Sequence, residues 1–176
     1  MVVGIVRLAR GRADGMAQFG DTVQAFLVSL TPLLAFPLVA GLTLLLSGRA
    51  LDALHVSFVS CVALLAPPVL SHALARRWDR EAAWLRYATA FNWCQWAVPM
   101  AALALLLVLR PVLGAGPTAG SAFVLGVGAY TLWLQGFVAR HGLGLSWARA
   151  LAVVLVTNAG SALLMFGPSR LLGGAP

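Results

Sequence analysis

Hydrophobic residues run along this chain in five long stretches, separated by short polar connections. Each stretch holds about 20 or more mostly apolar residues, the length of α-helix that crosses a lipid bilayer. The stretches lack the alternation of period two that a membrane β-strand requires. The pattern predicts an all-α integral membrane protein, a five-transmembrane-helix bundle with spans at 22–47, 51–75, 84–109, 119–139 and 147–166.

The N-terminal residues 1–21 follow a different pattern, in which apolar side chains alternate with Arg7, Arg10 and Arg12. This predicts a short amphipathic helix on the cytoplasmic surface of the membrane, with its cations near anionic headgroups. Gly11 and Gly15 are expected to limit its length. Residues 167–176 are expected to form a short periplasmic tail. Because the connections are short, the bundle 22–166 is expected to be the only domain.

The distribution of positive charge orients the bundle. Cytoplasmic loops of membrane proteins carry an excess of Lys and Arg. Three of the twelve cationic residues, Arg49, Arg110 and Arg170, fall on one side of the predicted spans. The other nine share the opposite side, which places the N-terminus in the cytoplasm and the C-terminus in the periplasm. These nine are Arg7, Arg10, Arg12, Arg76, Arg77, Arg80, Arg86, Arg140 and Arg149.

The composition agrees with a membrane location. The chain is 61% hydrophobic and 10% charged, with a mean hydropathy of +0.91. Soluble domains are about a quarter charged, so much of this surface is expected to face lipid. The net charge of +7 does not indicate nucleic-acid binding, because the arginines form short clusters and no continuous basic face. The expected partners are the lipid bilayer and a membrane protein or second copy of the chain.

Few residues are suited to catalysis. No Asp, Glu or Lys lies deep in a span, although proton relays and charge-coupled pumps usually need such a group. The three histidines are scattered, whereas a metal site needs converging ligands. No nucleophile–base set, phosphate-binding loop or zinc motif is present. We therefore expect no enzymatic activity, no metal and no cofactor.

Neutral polar residues mark the third, fourth and fifth spans at a similar depth. Counted at about 1.5 Å per residue, Asn92, Gln95, Thr131 and Asn158 lie roughly 12–17 Å from the cytoplasmic helix ends. They can line a small cavity that binds a neutral solute or a lipid headgroup, or they can hydrogen-bond between helices. The second interpretation is favoured. The candidate residues are Asn92, Gln95, Thr131, Gln135 and Asn158.

Four prolines, Pro32, Pro37, Pro67 and Pro68, interrupt the first two spans. Each removes a backbone hydrogen bond and frees the carbonyl four residues earlier. Broken helices are typical of transporters, but nearby Ser and Thr also compensate prolines in ordinary membrane helices. Simple kinks are the favoured interpretation, with Ser29 placed to compensate.

The connection 76–81 is the most charged segment of the chain. Arg76, Arg77 and Arg80 can bind anionic lipid or a cytoplasmic partner. The alternative, which we favour, is that these charges are solvated and only fix the orientation of the chain in the membrane. In that interpretation Arg77 and Glu81 form an ordinary i,i+4 ion pair.

Eight short segments of this chain form a recognisable set: 11–15 (GRADG), 19–22 (FGDT), 25–26 (AF), 80–81 (RE), 86–87 (RY), 90–93 (AFNW), 137–140 (FVAR) and 143–144 (LG). Together they resemble a family of small alphaproteobacterial inner-membrane proteins. The resemblance covers most of the chain and implies a fold and a membrane location, but no catalytic residue. The five-span layout is also similar to that of Yip1-type membrane proteins, although the Asp-Leu-Tyr-Gly-Pro segment of that type is missing.

These observations predict a multi-pass protein of a bacterial inner membrane. The expected role is non-enzymatic, as a membrane-organising or accessory component. The alternative is a small transporter or channel subunit that binds a neutral solute or lipid headgroup at the midplane polar residues. A cavity lined by those residues favours transport, whereas mutual pairing of their side chains favours a structural role.

Overall fold

The computed structural model describes the backbone of residues 1–113 and 117–172 and the side chains of residues 1–108 and 120–167. The described residues form helices and turns, without a β-strand. A short α-helix and a 3₁₀ helix precede five long helices. The elements are α1 (Val2–Ala9), the 3₁₀ helix (Ala13–Gln18), α2 (Val23–Leu46), α3 (Ala50–Arg77), α4 (Glu81–Leu113), α5 (Pro117–Leu143) and α6 (Trp147–Leu172).

The five long helices confirm the five predicted spans. Each of them is long and apolar enough to cross a membrane, which indicates a multi-pass membrane protein. Four helices, α3 to α6, extend beyond the predicted bounds. For example, α4 begins at Glu81 rather than at Trp84, and α5 continues to Leu143 rather than to Ala139. Hydropathy marks only the apolar part of a helix, whereas the helix itself continues until the backbone is interrupted. Gly144, with φ of +62°, follows the last residue of α5.

The longest helix exceeds the thickness of a bilayer. α4 contains 33 residues, so its length is about 50 Å at about 1.5 Å per residue. The hydrocarbon core of a bilayer is only about 30 Å thick. Part of α4 therefore projects beyond the hydrocarbon, where it can pack against extramembrane segments.

The five long helices form a ring. α2 packs against α3, α3 against α6, α6 against α5, α5 against α4, and α4 against α2. One end of the ring carries α1, the 3₁₀ helix and the connections 78–80 and 144–146, and we call it the charged end. Contacts between elements join it: the Arg86 guanidinium donates to the Asp21 carboxylate at 2.6 Å, and Arg149 lies over the Trp78 ring.

The main hydrophobic core lies at the charged end and includes the N-terminal segment. Leu8 of α1 is fully buried and packs with Tyr87, Phe137 and Leu143. The segment therefore does more than lie on a membrane surface as predicted, because α1 also packs against α4 and α5. Close backbone contact makes this possible: a Cβ atom on Gly15 would lie 2.8 Å from the carbonyl oxygen of Gly4.

The opposite end of the ring is more open. A Cβ atom built on Gly126 or Gly128 meets no atom within 4 Å. Leu107 and Val108 of α4 and Leu125 of α5 are exposed. The helices are thus tightly packed at the charged end and leave grooves and a cavity towards the other end.

The helices continue through their prolines, as the kink interpretation predicted. The carbonyl of Ala63, which Pro67 leaves without its usual donor, accepts a hydrogen bond from the Ser161 hydroxyl of α6 at 3.0 Å. The compensation expected from Ser29 does not occur as predicted, because its hydroxyl donates to the carbonyl of Phe26. A proline in α3 is therefore compensated by a neighbouring helix rather than by its own.

Candidate functional site: a central cavity beside Gln95

The five predicted polar residues do not form one connected layer. Asn92 is buried at the contact of α4 with α2, where its side-chain amide donates to the Ser29 hydroxyl at 2.9 Å. Ser29 is fully buried, and its hydroxyl donates a hydrogen bond to the carbonyl of Phe26. Asn92 thus belongs to a satisfied packing contact and does not line the cavity described below.

A second hydrogen-bonded pair of polar side chains joins α5 to α6. The Asn158 amide donates to the Gln135 side-chain oxygen at 2.7 Å and to the carbonyl of Val154 at 2.8 Å. The Thr131 hydroxyl donates a hydrogen bond to the carbonyl of Val127 in its own helix. Asn92 and Asn158, predicted to share a layer, therefore bond to different neighbours on different sides of the ring.

Gln95 differs from the other four residues. Its side-chain oxygen is buried and accepts no hydrogen bond within the part of the chain that the structure describes. A buried acceptor without a donor costs about 1–3 kcal/mol. The terminal torsion of a glutamine has a broad energy minimum, so a small rotation can turn this oxygen towards a neighbouring space.

Gln95 borders a cavity of about 540 Å³ that is partly open to the surface of the bundle, and we call it the central cavity. Four of the five ring helices contribute to its wall, namely α2, α3, α4 and α6. The volume lies within the range of roughly 300–1,000 Å³ that is typical of ligand pockets. Most of the lining is apolar, with hydroxyls at two positions. Lining residues from each helix include Pro37, Ser60, Ala63, Gln95, Ser161 and Met165.

The local sequence explains the position of this cavity. Pro37 and Pro67 line it, and both lack the backbone N–H that would continue the helical ladder. On α6, Asn158 precedes Ala162 by four residues and Met165 by seven, which places all three on one helix face. Because Ala162 and Met165 line the cavity, Asn158 lies on the same face, towards the charged end.

A much smaller space adjoins Gln95 on its other side. It measures about 10 Å³ and is lined by Gln95, Thr131 and Gln135 among others. This is close to the minimum of about 10–15 Å³ that one water molecule needs. Three of the five predicted residues therefore do meet, but around a space of water size rather than a solute site.

The predicted basic cluster lies at the charged end. Arg76, Arg77 and Arg80 are exposed and form no ion pair with the described residues. The predicted Arg77–Glu81 pair is wrong, because Glu81 contacts His72 at 3.1 Å instead. α3 ends at Arg77 and α4 begins at Glu81, so the two residues lack the i,i+4 spacing of one helix.

The cavity wall carries groups that can contact a ligand. Among the described residues, no group of three His, Cys, Asp or Glu side chains is placed to hold a metal ion. Cys61 and Cys94 are free thiols. The cavity offers apolar surface, two hydroxyls and one amide, which suit a neutral and mostly apolar molecule that carries a hydrogen-bond donor.

Sequence reasoning identified Gln95 but missed most of the cavity wall. Residues such as Phe36, Ala40 and Met165 are apolar and look like any lipid-facing position in a span. Ser161, with its hydroxyl on the Ala63 carbonyl, also lines the cavity. The usable signal was the set of prolines in the first two spans, since Pro37 and Pro67 both border the cavity.

No family model, curated protein or solved structure matches this chain.

Proposed function

We propose that this chain is a multi-pass protein of a bacterial inner membrane, with its charged end in the cytoplasm, that binds a small neutral molecule in its central cavity. The observation that carries the proposal is the unpaired oxygen of Gln95 beside a cavity of about 540 Å³. A structural seam would pair this oxygen, as Asn92 and Gln135 are paired.

The chemistry of the wall defines the class of ligand. No charged side chain is among the described residues that line the cavity, so an ion would meet no counter-charge from them, at a high cost in a medium of low dielectric constant. A neutral, largely apolar molecule avoids that cost and buries apolar surface. One hydroxyl or amide N–H on the ligand can satisfy Gln95. Such a molecule suits a small transporter or carrier subunit rather than an enzyme.

Filling the cavity tests the proposal. Ala162→Phe places a ring among the lining residues, whereas Ala159→Phe places the same ring at an exposed position of α6 that does not line the cavity. We expect a small molecule to be extracted from the purified wild-type protein and the Ala159→Phe control, and to be lost from Ala162→Phe. Identification is by mass spectrometry of the extract. Equal recovery from both variants would contradict the proposal.

Access to the cavity is tested with a thiol probe. In a background with Cys61→Ala and Cys94→Ala, a cysteine at Ser60 lies in the cavity wall and a cysteine at Ser29 is fully buried. We expect a small maleimide to label Ser60→Cys and not Ser29→Cys in intact membranes. Absence of labelling at both positions would indicate a closed packing space.

A second candidate function follows from the exposed cluster Arg76, Arg77 and Arg80. Its three guanidinium groups have no acidic partner among the described residues, which suits docking of an acidic cytoplasmic partner by a membrane-organising or accessory protein. Replacement of all three arginines by glutamine is expected to abolish co-purification of that partner without loss of the folded protein.

A further inference from the structure

A second apolar space lies between α4 and α5, separate from the central cavity. This groove has a volume of about 450 Å³. Its wall consists of apolar and small residues of α4 and α5, closed at one edge by Ala9 of α1 and by Tyr130. Representative lining residues are Ala9, Val98, Ala102, Leu105, Gly126 and Tyr130. None of them lines the cavity beside Gln95.

The described lining of the groove offers no free polar side chain to a ligand. Its one polar side chain among the described residues, Tyr130, already donates its hydroxyl to the carbonyl of Ala9. A polar solute would therefore lose its hydrogen bonds with water without replacement. An alkyl chain has no hydrogen bonds with water to lose, and it gains contact with the small residues Ala102 and Gly126.

The dimensions match one acyl chain in one leaflet. On α5 the groove extends from Phe123 to Tyr130, which is about 10 Å along the helix at about 1.5 Å per residue. One leaflet contributes about half of the roughly 30 Å hydrocarbon core. The groove thus accommodates a large part of one lipid tail.

Aromatic residues and a cation mark its edge at the charged end. Tyr130 packs against Trp133, with ring centroids 5.6 Å apart. Arg10 directly follows Ala9, is exposed, and has no ion pair with the described residues. By contrast, Arg7 and Arg12 share the Asp14 carboxylate.

We infer that this groove binds an anionic phospholipid, with one acyl chain between α4 and α5 and the headgroup phosphate beside Arg10. The Tyr130–Ala9 hydrogen bond holds the end of α1 at the mouth of the groove. α1 therefore serves as the headgroup-binding element of a lipid site. This lipid differs from the small molecule proposed for the central cavity. It is charged, and its acyl chain needs no hydrogen-bond donor.

The chain offers a matched pair of glycines for the test. Both Gly126 and Gly128 are exposed, and a Cβ atom on either meets nothing within 4 Å. Only Gly126 lines the groove. Gly126→Leu therefore fills the groove, while Gly128→Leu adds the same side chain to the same helix outside it. Arg10→Gln removes the charge alone.

The experiment is native mass spectrometry of the full chain after incubation with equal amounts of phosphatidylglycerol and phosphatidylcholine of the same acyl composition. Wild type and Gly128→Leu are expected to retain one lipid, preferentially phosphatidylglycerol. Gly126→Leu should lose both lipids by tenfold or more. Arg10→Gln should keep phosphatidylcholine but lose roughly fivefold in preference, the contribution of one arginine near a membrane surface.

Two results would overturn the inference. Equal lipid retention by Gly126→Leu and Gly128→Leu would show that the groove does not hold the lipid, and an unchanged preference in Arg10→Gln would remove the headgroup role. The same spectra report oligomeric state, so a dimer that only Gly126→Leu dissociates would assign the groove to a second copy. If Gly126→Leu does not fold, Ala102→Leu on the opposite wall replaces it, with exposed Ala104→Leu as its control.

Discussion

Two amides one turn apart on α4 have opposite roles. Asn92 is 2% exposed and bonded to Ser29, whereas the Gln95 oxygen is buried without a partner. Their side chains differ by one methylene group and their positions by three residues. What separates them is the neighbouring surface: Asn92 meets the polar Ser29 of α2, and Gln95 meets the cavity.

This contrast predicts different effects of the same change. Asn92→Leu removes an interhelical hydrogen bond and should lower the free energy of unfolding by about 1 kcal/mol. Gln95→Leu removes an acceptor that is unpaired, so stability should stay equal or rise, while the bound small molecule is lost. Equilibrium unfolding in mixed micelles measures the first effect, and extraction of the ligand measures the second. A larger loss of stability in Gln95→Leu than in Asn92→Leu would contradict the assignment.

Among the elements, α1 is the one whose position depends most on close backbone contact. A Cβ atom on Gly15 would lie 2.8 Å from the Gly4 carbonyl oxygen and 3.0 Å from the Leu8 side chain. Glycine at this point lets the 3₁₀ helix approach α1, so that Leu8 and Met16 enter one core. The docking of α1 in turn places Ala9 at the lipid groove, with Arg10 directly after it in the chain.

Gly15→Ala should therefore separate α1 from the 3₁₀ helix. We expect tryptic cleavage after Arg10 and Arg12 to accelerate by roughly tenfold, which corresponds to about 1.4 kcal/mol of docking free energy. Ala17→Val, at an exposed position of the same 3₁₀ helix, is the control and should be cleaved at the wild-type rate. Equal cleavage of both variants would show that this contact does not hold α1 in place.

For the whole molecule, the ring is packed at the charged end and open towards the other. Most arginines with described side chains lie at the packed end, and several are held there by aromatic or acidic neighbours, as Arg140 is by Trp147 and Arg86 by Asp21. The side chains of Arg110 and Arg170 and the tail beyond Leu172 lie outside the described residues. The periplasmic placement of the C-terminus therefore stays a prediction.

Reporter fusions decide the orientation. A fluorescent protein fused after Arg80 should fold and fluoresce, since the charged end is predicted to be cytoplasmic. Alkaline phosphatase fused after Pro176 should be active, because a chain with five spans and a cytoplasmic N-terminus is predicted to end in the periplasm. The reverse pattern would invert the molecule and would also move the lipid groove to the outer leaflet.

The sequence by itself determined the class of the molecule. Long apolar stretches can satisfy their backbone groups in lipid only as helices or closed barrels, and the absence of period-two alternation left helices. Short connections then required one bundle, and arginine clustering predicted its orientation. These properties depend on local composition, which is readable without knowledge of any contact between helices.

Only the tertiary structure decided which polar residues are paired and where space remains. Hydropathy cannot distinguish Asn92 from Gln95, or Gly126 from Gly128, because each pair has the same local environment along the chain. Contacts between residues far apart in sequence set the order of the helices in the ring and the docking of α1. Examples are the hydrogen bond from the Ser161 hydroxyl to the Ala63 carbonyl, which Pro67 leaves without its usual donor, and the hydrogen bond from Tyr130 to the Ala9 carbonyl. The cavity and the groove arise from these long-range contacts, and for that physical reason they became visible only in the folded chain.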